Sequence, residues 1–246
     1  MDVPTTVTTA LADRPVSGAV CLDAGAGVGN TTAGLLAAGA RRVYAVTNDP
    51  GHARAVDERL GDDDRLVVLE ADVRALPLAA DAIDVVTAHG LFNVLEPRTL
   101  DATATELTRV TAPGGHLVVD DYEPLPDAAA VGDLFALENA ATELADGRPA
   151  LTFYPADVLR RLFVGSGWTF DRGSTLLDPV PWTRTHVKAH AAATREAAAR
   201  LPEGLEAELR AETDRLVDAV DRESVGEMYS LAFRLPARQR GRHTDM

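Results

Sequence analysis

The chain has 246 residues and a mass of 26.1 kDa, a length that fits one large domain with its own hydrophobic core. Its formal net charge of −14, the lack of a long apolar run and an N-terminus without a signal pattern argue against nucleic-acid binding, membrane insertion and export, so a cytoplasmic protein is expected. Lys188 is the only lysine among 24 basic residues, which is typical of halophilic proteomes or, alternatively, of a GC-rich genome that replaces Lys with Arg.

The first predicted elements are a short helix over residues 5–13 and a buried strand over Ala19–Leu22. The strand is apolar throughout, as expected of a parallel strand that is covered on both faces, and Cys21 within it is expected to be a buried, unreactive thiol. A glycine-rich loop follows at residues 23–29, and Asn30 is predicted to begin a helix that ends near Ala40. Glycines at this position let the backbone adopt positive φ and let a ligand of the adenosine type approach closely.

The spacing of the loop glycines separates two families of nucleotide-binding loop. The dinucleotide fingerprint G-x-G-x-x-G would place glycine at position 30, where this chain has Asn30. The sequence D-x-G-x-G-x-G instead resembles motif I of the class I S-adenosylmethionine-dependent methyltransferases, of the small-molecule type. The resemblance implies that Asp23 and Ala24 lie at the methionine end of the cofactor and that the loop glycines face its sugar and sulfonium, these being Gly25, Gly27 and Gly29. An ordinary strand-to-helix turn is the alternative.

A second strand is predicted over Arg41–Thr47, and the resemblance implies a ribose-binding acid at its end. That position is Thr47, which departs from the family pattern. Asn48 or Asp49 is expected to supply the contact instead, since either side chain offers acceptors to a diol. The alternative for Asp49 is that Asp49-Pro50-Gly51 merely starts the next helix.

A helix over His52–Leu60 and a third strand over Arg65–Glu70 are predicted next. The segment that follows, residues 71–78, resembles the family pattern G-D-A-x-x-L-P-F. This match implies that Asp72 meets the adenine amino group and that Val73 packs on the ring. The alternative for Asp72 is a turn-forming or helix-capping role.

A fourth strand is predicted within residues 81–90, with His89 at its carboxyl end. Ligands of open parallel sheets sit off the carboxyl ends of the strands, so His89 is predicted to face the transferable methyl group and to bind near the cofactor. Neutral imidazole accepts a proton near neutral pH, which makes His89 the candidate general base. The alternative is a pocket-wall histidine in an enzyme that relies on positioning alone.

Two short helices are predicted over residues 91–97 and 98–111, followed by a Pro113-Gly114-Gly115 turn and a fifth strand that ends near Asp120 and Asp121. The helix, turn and strand resemble the family pattern R-V-L-x-P-G-G-x-L-V-V. The two carboxylates are either substrate-orienting groups or part of an acidic surface loop. Helices over residues 131–146 and 155–163 and a sixth strand beginning near Trp168, a predicted core residue, come next.

The last part of the chain departs from the simplest pattern of the family. Residues 178–226 are rich in Ala, Glu and Arg at helical spacing, and Leu205, Leu209 and Leu216 fall on one face. This helical insertion is predicted to cap the substrate site or to mediate a homodimer. A final strand is predicted over residues 228–235, and the tail, residues 238–246, is expected to be disordered.

Together these patterns predict an α/β fold, a Rossmann-like seven-stranded class I methyltransferase sheet with helices on both faces and a helical insertion before the last strand. One domain over residues 1–246 is expected, with a cofactor-binding half (15–123), a substrate half (124–177), the insertion (178–226), the last strand (227–235) and a tail (236–246). The resemblance implies S-adenosylmethionine as cofactor and methyl transfer to a small-molecule acceptor, without a metal. The alternatives are a non-catalytic S-adenosylmethionine-binding protein and a nicotinamide-dependent oxidoreductase. The acceptor and its reacting atom are not readable from the sequence.

Overall fold

A computed structural model describes residues 3–220 and 222–237 of the chain. Its α-helices are α1 (Thr5–Leu11), α2 (Asn30–Ala37), α3 (Pro50–Leu60), α4 (Leu100–Val110), α5 (Ala130–Asp146), α6 (Ala156–Gly165), α7 (Arg184–Ala198) and α8 (Glu203–Ala219). Its strands are β1 (Val20–Ala24), β2 (Arg42–Thr47), β3 (Leu66–Glu70), β4 (Ile83–His89), β5 (Thr111–Tyr122), β6 (Thr169–Leu177), β7 (Pro181–Trp182), β8 (Glu223–Ser224) and β9 (Met228–Arg234). Two short 3₁₀ helices, Phe92–Val94 and Pro97–Thr99, precede α4.

The main sheet of the described residues has seven strands in the order β3-β2-β1-β4-β5-β9-β6. The first five strands of this order run parallel, and β9 pairs antiparallel with both β5 and β6. The chain order reverses between β1 and β4, so the loops that leave these two strands diverge and open a crevice at their carboxyl ends. The predicted fold class is confirmed.

Each face of the sheet is covered by a different set of helices. On one face, Val7 of α1 and Leu35 of α2 pack with Cys21 of β1, and α3 packs beside them. On the other face, Leu107 of α4 and Phe163 of α6 pack with the opposite side of β1 and β4. Cys21 is fully buried, and burial raises the pKa of its thiol to about 12, as expected of an unreactive core cysteine.

Helices α5, α7 and α8 pack together as a cap beside the carboxyl end of β5. Their apolar faces meet Tyr122 at the end of β5 and Met228 at the start of β9. The predicted helical insertion is therefore present, and it also contains the short β7–β8 pair, in which Trp182 pairs with Glu223. A pair of two-residue strands has no periodic pattern, which is why the sequence does not reveal it.

The sequence places most elements within a few residues of their observed bounds, and the fifth strand differs most. β5 begins at Thr111, the last residue of a predicted helix, and it includes the predicted turn at residues 113–115. These residues bulge out within the strand, because Ile83 pairs with Thr111 whereas Val85 pairs with His116. Trp168 is 2% exposed and is a core residue as predicted. The predicted disordered tail at 238–246 lies outside the described residues.

Candidate active site

The glycine loop leaves the end of β1 at the crevice where the strand order reverses. Gly25, Gly27 and Gly29 all have positive φ, at 78°, 51° and 83°. A Cβ on Gly25 would stand 2.8 Å from Leu91 Cδ1, and one on Gly29 would stand 3.2 Å from Leu60 Cδ1, so these two glycines allow the loop to pack. A Cβ on Gly27 would meet nothing within 4 Å. The open side of Gly27 is thus where a ligand can approach the backbone, and the loop fits a nucleoside-type cofactor.

Backbone hydrogen bonds tie the loop to the neighbouring strand ends. The N–H groups of Gly25 and Ala26 donate to Val46 O of β2, at 2.9 Å and 2.8 Å, and Gly90 N donates to Asp120 O of β5 at 2.7 Å. Ala71 N donates in the same way to Thr47 O. These bonds bring the ends of five parallel strands to one edge of the sheet, where the predicted site residues lie.

Asp23 lies beneath the loop and is 1% exposed. Its carboxylate accepts a hydrogen bond from Thr32 Oγ1 of α2 at 2.6 Å and one from Thr87 Oγ1 of β4 at 3.4 Å. Burial raises the pKa of Asp23 to about 6. Asp23 therefore anchors the loop to two neighbouring elements, and its contact with a methionine group remains a prediction. Ala24 is fully buried, so only its backbone is available to a ligand.

The candidate ribose-binding residues follow β2 and differ in what they contact. The carboxylate of Asp49 accepts hydrogen bonds from Gly51 N at 2.6 Å and His52 N at 3.0 Å, and thereby caps α3. The N–H of His52 in particular lowers the pKa of Asp49. Thr47 is buried, and its Oγ1 accepts a hydrogen bond from Asp49 N at 3.2 Å. Asn48 is exposed. Asp49 therefore caps α3, as the alternative interpretation predicts. The exposed side chain of Asn48 is the one that remains available to a ligand.

Glu70 is a further carboxylate near the end of β2, and the sequence does not predict it as a ribose-binding residue. It is the exposed last residue of β3, and the strand register pairs it with Thr47. Residues paired in this way share a face of the sheet. The register between β2 and β3 is what places Glu70 beside Thr47, and this register cannot be read from the local sequence.

Asp72 and Val73 follow β3 at the same edge. Asp72 is ion-paired with Arg74, whose Nε lies 2.9 Å from Asp72 Oδ1, and this guanidinium lowers the pKa of Asp72. The Asp72 side chain is still 40% exposed, so its outer oxygen edge can meet a ligand amino group. Val73 is 9% exposed and packs in the main core.

His89, at the end of β4, is hydrogen-bonded to the next strand. Its Nδ1 lies 3.0 Å from Oδ2 of Asp120, which β5 places directly beside it in register. Burial alone would lower the pKa of His89, but the hydrogen bond and charge of Asp120, with the charges of Asp23 and Asp121, outweigh it, so the pKa is raised. The predicted candidate base thus has an acidic partner that the sequence places 31 residues away.

Asp121, the other member of the predicted acidic pair, points to the opposite face of the sheet. It is 1% exposed, accepts a hydrogen bond from Asn93 N at 3.0 Å, and has its pKa raised to about 7 by burial. The two adjacent carboxylates are therefore both inside the fold rather than in an acidic surface loop. Asp120 bonds to His89, whereas Asp121 holds the segment after β4.

Aromatic side chains of the cap cluster at the carboxyl end of β5. Tyr122 is two residues beyond Asp120 on the same strand, so their side chains share a face. The Tyr122 ring lies 5.3 Å from that of Trp182 and 6.3 Å from that of Phe153, measured between centroids. These three rings form an aromatic wall at the carboxyl end of β5, the strand that carries Asp120.

Two further properties concern the described ranges 3–220 and 222–237. Within them, no helix combines the length and apolarity needed to cross a bilayer. The same ranges contain no group of three or more His, Cys, Asp or Glu side chains arranged to hold a metal ion.

Comparisons with known proteins agree with this geometry. Residues 22–119 match the family model described as a methyltransferase domain. Demethylmenaquinone methyltransferase of Clavibacter sepedonicus is 41% identical over 122 residues, which are 49% of this chain and 48% of that protein, so the chain spans about half the length of this curated relative.

Two solved structures share the fold. A putative methyltransferase from Bacillus halodurans has a TM-score of 0.64 at 14% identity, with 95% of this chain and 100% of that chain covered. The 1,6-didemethyltoxoflavin-N1-methyltransferase of Burkholderia thailandensis, solved with S-adenosylhomocysteine, has a TM-score of 0.58 at 16% identity, with 94% and 79% covered. Residues 22–119, which carry the glycine loop and most of the parallel strands, are thus similar to methyltransferase domains, and the chain shares the fold of these two solved structures.

Proposed function

We propose that the protein transfers the methyl group of S-adenosylmethionine to a small-molecule acceptor. The observation that carries the proposal is the loop at the end of β1, in which Gly27 presents an open, Cβ-free backbone at the crevice of the sheet. The similarity of residues 22–119 to methyltransferase domains supports it, as does the S-adenosylhomocysteine bound to the structural relative from Burkholderia thailandensis.

The cofactor would be held by residues that follow successive strands. Gly25, Gly27 and Gly29 with Asp23 and Ala24 would form the floor under its methionine and sugar groups. Asn48, with Thr47 and Asp49 around it, would meet the ribose, and Asp72 and Val73 would meet the adenine. The bound cofactor supplies an activated methyl group on a sulfonium, so the protein has only to align a nucleophile behind that carbon.

Alignment is the main contribution required of the protein. Holding two reactants in one geometry can lower the barrier by roughly 7–11 kcal/mol. The aromatic wall formed by Tyr122, Phe153 and Trp182 supports a cap that encloses the acceptor next to His89. A cap of this kind also excludes water from the reacting centre.

We propose one domain over residues 1–246, divided as predicted from the sequence, acting in the cytoplasm on a small molecule rather than on nucleic acid. The net charge of −14 and the single lysine support adaptation to high salt. The cap helices α7 and α8 are the proposed contact in a homodimer, and analytical ultracentrifugation tests this directly.

Two measurements test the proposed activity. Isothermal titration calorimetry should detect binding of S-adenosylhomocysteine, and NAD should give no heat. Incubation with methyl-labelled S-adenosylmethionine and a cell extract should then label a small molecule. Binding without any transfer would favour the non-catalytic alternative, whereas binding of NAD alone would favour an oxidoreductase.

A further inference from the structure

We propose that Asp120 is a positioning residue that holds His89 as the general base of the methyl transfer, and that the acceptor atom is a protonated nucleophile such as a hydroxyl oxygen. The inference rests on the proposed function, because the proton in question belongs to the methyl acceptor. It goes further in naming a second residue and the chemical class of the reacting atom.

The contact between the two side chains has the geometry that a base requires. Asp120 Oδ2 and His89 Nδ1 are 3.0 Å apart, and the Asp120 side chain is 4% exposed against 23% for His89. With its proton on Nδ1 and donated to Asp120, the neutral ring carries its lone pair on Nε2. No hydrogen bond to Nε2 is formed by any residue in the described part of the chain. The buried carboxylate thus fixes the ring, and the partly exposed edge is the one that can accept a proton.

The Asp120 carboxylate makes its side-chain hydrogen bond to His89. Its second oxygen, Oδ1, is buried and makes no hydrogen bond to the residues that the structure describes. The other charged groups that act on the imidazole are Asp23 from β1 and Asp121 from β5, and both are acidic. Every one of these carboxylates favours the imidazolium that forms when His89 takes a proton.

In the proposed step, the acceptor loses a proton and the donor loses its methyl group. As the new bond forms between the acceptor oxygen and the methyl carbon, the carbon–sulfur bond of the donor breaks and its electron pair returns to sulfur. The proton of the acceptor hydroxyl passes to His89 Nε2, and the imidazolium later releases it to solvent. An acceptor that attacks with a free lone pair and no proton to lose would not require this pair of residues.

The test is an NMR titration of the full-length protein, which requires no acceptor. In the wild-type protein, long-range ¹H–¹⁵N correlations should show the neutral His89 ring protonated on Nδ1. In D120N the titration midpoint of His89 should fall to lower pH, because the carboxylate no longer stabilises the cation. The matched control is D84N: Asp84 accepts a hydrogen bond from Val20 N at 2.9 Å at the other end of β4. This variant should leave the His89 titration unchanged.

The outcomes separate this inference from the proposed function. Heat of binding for S-adenosylhomocysteine, with an unmoved His89 midpoint in D120N or a wild-type ring protonated on Nε2, would overturn the dyad and leave the methyltransferase proposal intact. Loss of binding in the wild-type protein would overturn the proposed function instead. With an acceptor identified by label transfer, D120N should lower kcat at neutral pH at least tenfold with little change in cofactor affinity, and D120E should recover part of it.

Discussion

Replacing Gly27 with Ala should weaken cofactor binding at least tenfold at a small cost in stability. Gly27 has φ of 51°, and an added Cβ would meet no protein atom within 4 Å, so the change introduces backbone strain but no clash. An L-residue in the left-handed region costs about 1–2 kcal/mol. For a chain of this size, each kcal/mol corresponds to about 2–4 °C in Tm. The same methyl group, however, would occupy the space into which a cofactor must approach the backbone.

Gly147 provides the matched control for this experiment. It follows α5 with φ of 72°, and a Cβ there also meets nothing within 4 Å. Thermal denaturation should therefore give similar decreases in Tm for G27A and G147A. Calorimetry with S-adenosylhomocysteine should show at least a tenfold loss of affinity for G27A, about 1.4 kcal/mol, and none for G147A. Equal affinity of the two variants would refute the assignment of Gly27 to the cofactor site.

Three further predictions concern the same edge of the sheet. Burial raises the pKa of Asp121 from 3.8 to about 7. The stabilising contribution of this side chain is therefore complete below pH 4 and is lost as the pH rises through 7. Urea denaturation should show that D121N is more stable than wild type at pH 8, by on the order of 4 kcal/mol, but not at pH 4. D49A should lower the free energy of unfolding by about 1 kcal/mol through loss of the α3 cap, whereas N48A should weaken S-adenosylhomocysteine binding without a change in Tm; the reverse pattern would move the ribose contact to Asp49. E70A should weaken binding in the same calorimetric assay if Glu70 replaces the acid missing at Thr47, and unchanged affinity would exclude it.

The sequence predicts the fold well because its strongest signals are local and repeated. The apolar run before Asp23, the alternate glycines and the helix that starts at Pro50 each depend on a few consecutive residues. Such patterns fix where a strand ends and a helix begins, and parallel strand ends must meet at one edge. The glycine loop and the end of β4 are therefore predicted to lie together, as they do.

Contacts between distant residues are what the sequence does not reveal. The His89–Asp120 hydrogen bond depends on the register of β4 against β5, and a bulge at residues 112–115 sets that register. The bond between Thr32 and Asp23 similarly depends on how α2 packs on the sheet. Asp49 is a different case, because its helix-capping role is local and the sequence predicts it as the alternative to ribose binding. Only the structure decides that the cap is formed.

The central claim, a binding site for S-adenosylmethionine at the end of β1, is tested most directly by calorimetry of the wild-type protein with S-adenosylhomocysteine, at low and at molar potassium chloride. We expect saturable binding of one molecule per chain in at least the high-salt buffer, with no heat from NAD. A folded protein that gives no binding heat in either buffer would contradict the account.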